Sequence, residues 1–310
     1  MKLFDLQPYC QNIVRSVEQN TGIPVCLGVA PTKALSKLAN RFAKKYPAFA
    51  RVCIMNTDEK IEKALKLTEI GDVGGIGRQY TNKLQKQGVK TAYDFTKMPK
   101  GWVRKNMYVV GEKLWRELQG ESCLALENIV PDKKQICTSR SFGNLLSGFD
   151  DVMSAVASFS ELCAFKLRQQ GSCAVSLIVF ISTNFFREDL PQYSKSAMVT
   201  LPVPSSSTTE IVRYARTALK QIYKEGFFYK KAGVIISQIC PSSAVQGNIF
   251  DTEDRTKQAQ LMRAIDGLNK AYGQNTVTLA AAFAGKHEMH RENLSPDYTT
   301  NLGDVIGVRV

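Results

Sequence analysis

The residues of this 310-residue chain that could do chemistry fall into a few short runs, and what these share is an aptitude for phosphate rather than for bond making. Lys33 follows Pro31-Thr32 where an apolar run, Ile23 to Val29, gives way to an apolar pattern of helical period. A strand, a tight turn and a helix with a lysine in its first turn would bring unpaired N–H groups and a full positive charge to one corner. Gly75-Ile76-Gly77-Arg78 sits between two helical patterns. Glycines there let a helix–hairpin–helix turn bring backbone N–H groups against a phosphate, a contact blind to base sequence. Ser139-Arg140-Ser141 alternates small hydroxyls with a guanidinium, and Lys230-Lys231 opens a later strand pattern that could extend a phosphate track. Gln246-Gly247-Asn248-Ile249-Phe250 sets an aliphatic–aromatic pair in a polar loop, where two apolar anchors can enter a groove while the amide fixes register.

Each run also has a plainer reading. Lys33 can be an exposed first-turn lysine and Gly75-Ile76-Gly77 an ordinary interhelical turn. Arg140 and the paired lysines can be edge charges that keep a sheet from pairing with another chain. The pentapeptide can be a chance match. His287 and His290 share a helical spacing, but no third ligand cluster accompanies them, so no metal site is expected there.

The elements that must position these residues follow from periodicity. The pattern predicts a helix over 5–20, a strand over 25–29, a helix over 32–45 and a strand over 50–55. Leu35, Leu38, Ala39 and Phe42 would share the buried face of the second helix, opposite Lys37, Arg41, Lys44 and Lys45. Residues 58–126 read as helical and punctuated by glycine, with helices near 60–70, 78–87, 91–97 and 109–119. Residues 127–135, interrupted by Pro131, read as a linker. Strands near 136–143, 173–182, 196–203 and 231–239, with helices over 150–170 and 207–225, give the order β-α-β-β-α-β of a split-βαβ, ferredoxin-like sheet. Ser205–Thr209 reads as an N-cap cluster, and a further helix is expected over 255–272.

Composition points the same way. The hydrophobic share of 44% and charged share of 22% are ordinary for a globular protein, but a formal charge of +13 and a pI near 9.3 favour polyanions, nucleic acid above all. The longest apolar run, around Ala174–Ser182, is too short to span a bilayer, and Met1-Lys2-Leu3-Phe4-Asp5 lacks the apolar core of a signal peptide. The eight cysteines are scattered without a Cys-x-x-Cys pair, which fits a reduced, cytoplasmic protein.

The run Gly28-Val-Ala-Pro-Thr-Lys-Ala-Leu-Ser-Lys-Leu-Ala-Asn40 closely resembles the late palm segment of the Y-family translesion DNA polymerases. The glycine hairpin, Ser139-Arg140-Ser141-Phe142-Gly143, the Gln246–Phe250 peptide and the terminal Leu294-Ser-Pro-Asp-Tyr-Thr-Thr300 extend the similarity to the UmuC-type members over essentially the whole chain. The resemblance implies an α+β multidomain chain: a partial palm (1–57), a helix-hairpin-helix thumb (58–126), a linker (127–135), a ferredoxin-like little finger (136–240) and a C-terminal tail (241–310). It implies that Lys33 meets the triphosphate of an incoming nucleotide, and that Gly75, Gly77, Arg78, Ser139, Arg140, Ser141, Lys230 and Lys231 meet DNA. Gln246, Ile249 and Phe250 would hook the sliding clamp. A UmuD-type accessory protein and a recombinase filament are further implied partners, and Mg2+ the metal of the complete polymerase.

The chain departs from the family in places. Thr32 stands where an Asn is common, Gly74 where a Trp is usual, and Gly247 where a Leu is usual. The family's metal-binding carboxylates, an Asp near its N-terminus and an Asp-Glu pair in a Ser-Ile-Asp-Glu-like strand, have no match here, and the nucleotide-covering Tyr and Arg of the fingers have none either. The expectation is therefore the C-terminal portion of an error-prone translesion polymerase, active in the SOS response, that binds no cofactor and is not catalytic alone. The alternative is a non-enzymatic DNA- and clamp-binding module.

Overall fold

The computed structural model describes residues 5–125, 131–273, 275–283 and 303. The chain divides into two compact units, residues 1–129 with 295–310, and residues 130–294. His287, His290 and the run 294–300 lie outside the described residues.

The first unit opens with helix α1 (Leu6–Thr21), whose first turn is capped by the Asp5 carboxylate. Strands β1 (Leu27–Val29) and β2 (Val52–Ile54) pair in parallel and are joined by helix α2 (Lys33–Lys45). The helix lies so close to β1 that a Cβ on Gly28 would stand 2.1 Å from the Asn40 backbone nitrogen, so any side chain there would lift α2 off the strand. Leu35, Leu38, Ala39 and Phe42 are buried and Lys37, Arg41, Lys44 and Lys45 exposed, as their spacing predicts.

Four helices follow: α3 (Asp58–Leu67), α4 (Arg78–Gln85), α5 (Ala92–Thr96) and α6 (Lys100–Leu118). Their apolar faces join that of α2 in one core that includes Leu35, Phe42, Ile70, Leu84, Phe95 and Leu118. Residues 1–57 and 58–126, separate in the sequence reading, thus share a core. Helix α6 begins at Lys100 rather than near residue 109. It is broken at Tyr108, where the backbone turns to φ 59 and ψ −163.

The second unit is a four-stranded antiparallel sheet with two helices across one face. Its elements are β3 (Ile136–Leu146), α7 (Phe149–Gln169), β4 (Ser172–Thr183), β5 (Ser194–Ser205), α8 (Thr208–Ile222) and β6 (Tyr229–Pro241). The spatial order is β3-β6-β4-β5. Both crossovers are split: β3 and β4 run the same way with β6 between them, and β5 and β6 do so with β4 between. The order differs from the expected ferredoxin-like sheet, whose first and third strands are central; here the second and fourth are. Strand β6 suits that place, because Ala232, Gly233 and Val234 are buried in succession and both of its edges are paired.

The expected linker and the expected helix after the sheet are both tied to this unit. The Lys133 backbone exchanges two hydrogen bonds with the Gln170 side chain at the end of α7. Helix α9 (Arg255–Tyr272) docks through a paired set of bonds between Arg168 and Asp266, both 2.7 Å, and through Met262, which is buried. The chain then runs along α7 to the short helix α10 (Ala280–Phe283), with Leu279 N–H donating to Glu161 and Ser154 donating to the Ala282 carbonyl. All eight cysteines are free thiols. Among the described residues no helix is long and apolar enough to cross a membrane.

Candidate nucleic-acid interface

The Lys33 corner forms as the sequence predicts, but its helix terminus is filled from within. Thr32 is the N-cap of α2, accepting from Leu35 N–H at 3.2 Å, and its hydroxyl donates to the Glu117 carbonyl at 2.8 Å. The Glu117 carboxylate, buried at the end of α6, accepts from Ala34 N–H at 2.9 Å and from Cys123 N–H at 3.2 Å. A carboxylate therefore occupies the positive end of the helix, where the sequence reading left N–H groups for a phosphate. The Lys33 ammonium is exposed and donates to the Ala125 carbonyl at 2.7 Å. What the corner offers an anion is this exposed charge, with the Ala34 and Leu35 N–H groups already taken.

The glycine hairpin is open. Gly75 adopts φ +101, a conformation an L side chain rarely takes, while Ile76 between the glycines is buried in the core and fixes the turn. Gly77 is the N-cap of α4, and no side chain caps that helix. A Cβ on Gly77 would meet nothing within 4 Å, so the turn leaves open space beside the glycine that starts α4. Arg78, Lys83 and Lys86 are exposed on the same helix or its end. Beside Gly74, where a Cβ would come within 2.9 Å of the Lys37 side chain, lies a cavity of about 140 Å³ bordered by Lys37, Leu38, Arg41, Asp72 and Leu118. The space left by the missing large side chain is thus partly taken by Lys37.

On the sheet, pairing sorts the predicted residues onto two faces. Ser139 lies opposite Gly233 and Ser141 opposite Lys231, on the face away from the helices. Lys231 is also in register with Ser182, and its ammonium sits over the Phe180 ring at 5.8 Å. Ser139, Ser141 and Lys231 are thus brought together. Arg140 lies opposite Ala232, which faces the helices, so alternation sets its guanidinium at the edge of the other face, donating to the Ser139 carbonyl at 3.3 Å. Lys230 does not continue an open track. Its ammonium bonds the Phe142 and Gly143 carbonyls at 2.5 and 3.3 Å, where β3 loses register with β6.

The peptide Gln246–Phe250 lies between β6 and α9, with Gln246 exposed, Ile249 93% exposed and Phe250 82% exposed. Asn248 shapes its turn, its side chain accepting from Phe250 N–H at 2.9 Å and its carbonyl from Asp251 N–H at 2.9 Å. Immediately after it stands an ionic network that sequence reasoning passed over. Arg255 bonds Asp251 twice, at 2.6 and 3.0 Å, and the buried Glu210 of α8 at 2.5 Å. These bonds hold the Asp251 carboxyl below the usual carboxylate range and the Arg255 guanidinium above its own. Arg213 pairs with Glu253 at 2.9 Å. The one sequence signal for this network was the i,i+4 spacing of Asp251 and Arg255.

The described residues do not fit a two-metal centre. They contain no group of three or more His, Cys, Asp or Glu side chains able to hold an ion, Asp5 is occupied as a helix cap, and Glu18 is paired with Arg51.

Residues 133–249 match the model of the impB/mucB/samB family C-terminal domain, and residues 259–308 match a domain of unknown function, DUF4113. Over 293 residues the chain is 36% identical to Protein ImpB of Salmonella typhimurium, covering 93% of this chain and 69% of that protein. It is 36% identical to Protein UmuC of the same species over 309 residues, covering 98% of this chain and 73% of that one. DNA polymerase IV of Brucella melitensis is 22% identical over 272 residues, which make up 58% of its length. Among solved structures, a Y-family DNA polymerase chimera, Dbh-Dpo4(243-245)-Dbh, superposes with a TM-score of 0.52 at 16% identity, covering 76% of this chain and 64% of that one, a likeness of fold.

Proposed function

Because this chain belongs to the family of ImpB, MucB, SamB and UmuC, we propose that it is the C-terminal portion of an error-prone translesion DNA polymerase of the SOS response, gripping damaged template–primer DNA and the sliding clamp. On this reading the first unit combines the end of a palm with a helix-hairpin-helix thumb, and the sheet of the second unit is a little finger. The observation that carries it is the Gly75–Gly77 turn, whose glycine conformation and uncapped helix give a backbone site for one phosphate. Arg78 flanks that site, and Ser139, Ser141 and Lys231 offer a second set of contacts, with Arg140 reaching from the sheet edge. Lys33 contributes its charge to an incoming triphosphate. A UmuD-type protein and a recombinase filament would be partners by family likeness, in the cytoplasm.

The chain by itself is expected to bind DNA without extending a primer, because no residue of this sequence matches the family's Ser-Ile-Asp-Glu-like metal-binding pattern and phosphoryl transfer needs acidic ligands for two metal ions. A non-enzymatic DNA- and clamp-binding module is the alternative. Supplying the family's palm and fingers in trans separates the two: restored extension with Mg2+ supports the polymerase reading, and persistent inactivity the module. DNA binding should be independent of sequence and fall steeply with salt, as counterion release requires. Equal affinity at low and high salt would remove the DNA reading altogether.

Ile249 and Phe250 are the anchors of the proposed clamp hook. Burying each should contribute roughly 1.5–3 kcal/mol. Ile249→Ala/Phe250→Ala should therefore weaken clamp binding by about two to four decades while leaving DNA affinity unchanged, each decade being about 1.4 kcal/mol. Gly247→Leu should strengthen it, since leucine adds apolar contact and stiffens the free peptide.

A further inference from the structure

The segment that follows the hook is bonded to the sheet unit as if to hold the hook still. Phe250 is followed directly by Asp251, whose two oxygens take the Nε and Nη2 donors of Arg255 at 2.6 and 3.0 Å. The third arm of the same guanidinium, Nη1, reaches the Glu210 carboxylate of α8 at 2.5 Å. Glu210 is 3% exposed and also accepts from the Ser205 hydroxyl. A carboxylate that deep needs a cation; Arg255 meets it with its fork fully used, and Arg213 stands 3.6 Å from its other oxygen. Two residues further on, Glu253 accepts from Arg213 of α8 at 2.9 Å and from Gln258 of α9 at 2.7 Å. The far end of α9 is pinned by Arg168 on Asp266. The hook therefore hangs between the end of β6 on one side and, on the other, a residue fixed through a buried ion pair to the sheet unit.

Such bracing makes sense for a short peptide that must present its side-chain anchors to a groove in one shape. An unbraced loop must give up its conformational freedom when it enters a groove, and a loop already held near its bound shape loses less. We infer that Asp251, Arg255 and Glu210 are positioning residues that pre-organise the 246–250 hook for its partner, and that docking of α9 against α7 and α8 serves this end. The inference rests on the clamp-hook reading of those residues. It gives a task to the beginning of the segment matched by the domain of unknown function, which starts within α9 at residue 259.

The test is titration of the full chain against a purified bacterial sliding clamp, alongside a synthetic peptide of residues 244–252. Asp251→Asn leaves the Arg255–Glu210 pair in place and loosens only its link to the hook. It should keep the melting temperature, raise hydrogen exchange at the Ile249–Asp251 amides, and lower clamp affinity roughly three- to tenfold towards that of the peptide, the scale of a modest ordering cost. Arg255→Gln should lose as much or more, and Arg255→Lys, which can meet only one carboxylate well, should recover part of it. Should Arg255→Gln fail to fold, Asp251→Asn carries the test alone. Wild-type affinity in Asp251→Asn, with binding lost in Ile249→Ala/Phe250→Ala, overturns the brace and leaves the hook. No binding by the wild-type chain overturns the hook reading, and the brace with it.

Discussion

Two helix N-termini of the first unit invite the same sequence argument and meet different fates. At α2 the positive end is closed: the Thr32 cap, the Glu117 carboxylate and the Ala34 and Cys123 N–H groups satisfy one another. At α4 it is uncapped: Gly77 supplies no side chain, no side chain caps the helix, and a Cβ on Gly77 would stand in open space. The first is a structural joint between α2 and α6, and the second is the end proposed above to take a phosphate. The motif around Lys33 and the motif around Gly75 look alike in one dimension because both put small or hydroxyl residues before a basic helix. What separates them is a glutamate that arrives from the other end of the unit.

That contrast can be broken most forcefully at Glu117. Glu117→Ala leaves two part-buried donors without their charged acceptor and should cost the first unit about 1–3 kcal/mol in denaturant unfolding. Phosphate should then restore part of the loss in the variant and none in the wild type, because only the variant has an empty helix end. A variant as stable as wild type, or blind to phosphate, would show that the joint is not what closes α2.

At α4 the expected effect is on binding rather than folding. Gly77→Val places its side chain in open space at an ordinary φ, so the melting point should hold while DNA affinity falls by about tenfold, the loss of one backbone-held phosphate. Lys33→Ala should do less, about a threefold loss of nucleotide or DNA affinity with a salt slope lower by about one, as for one lysine–phosphate contact. If Lys33→Ala matched Gly77→Val, the closed corner would be as good a phosphate site as the open one.

The smallest effect concerns a third terminus. At α5, Thr91 and Asp94 form a reciprocal cap, and the backbone N–H groups of Thr91 and Lys90 hold the Asp94 carboxyl below its ordinary range. A carboxyl lowered in the folded state binds its proton more readily when unfolded. The stability it contributes is thus complete above its ordinary value near 3.8 and fades as pH falls through the folded value. Asp94→Asn should flatten that part of the acid-unfolding profile below about pH 4 and leave the neutral-pH DNA affinity untouched.

Much of this architecture is legible in one dimension. Helices α1, α2 and α9 fall within a residue or so of their periodic patterns, and the strands of the second unit appear where β-branched runs lie between turn residues. The first half of α6 was hidden because the run Met107–Val110 at its break blurs the helical period: Met107 is buried, whereas Tyr108, Val109 and Val110 are exposed. The Glu117 joint was hidden for another reason, since 83 residues separate Ala34 from its acceptor and no local rule links them. Lys230 read as a free cation because the carbonyls that take it become orphans only where β3 slips out of register. The sorting of Ser139 and Ser141 from Arg140 was there to be read: a strand has period two, so neighbours in sequence face opposite ways.

The place of β6 has a consequence in time as well as in space. Strands β3 and β4 never touch, and each is completed only by β6, the last strand of the sheet to be made. During synthesis the edges of β3 and β4 therefore stay unfinished until the run from Tyr229 to Pro241 has been made. Pairings of such long sequence separation come late and slowly, whereas the first unit is built largely from neighbouring helices. Interrupted synthesis or a slow stretch of message before β6 would leave a long-lived species with exposed strand edges, the form most open to aggregation and proteolysis. The finished sheet hides that history, since the strand that closes it lies at its centre.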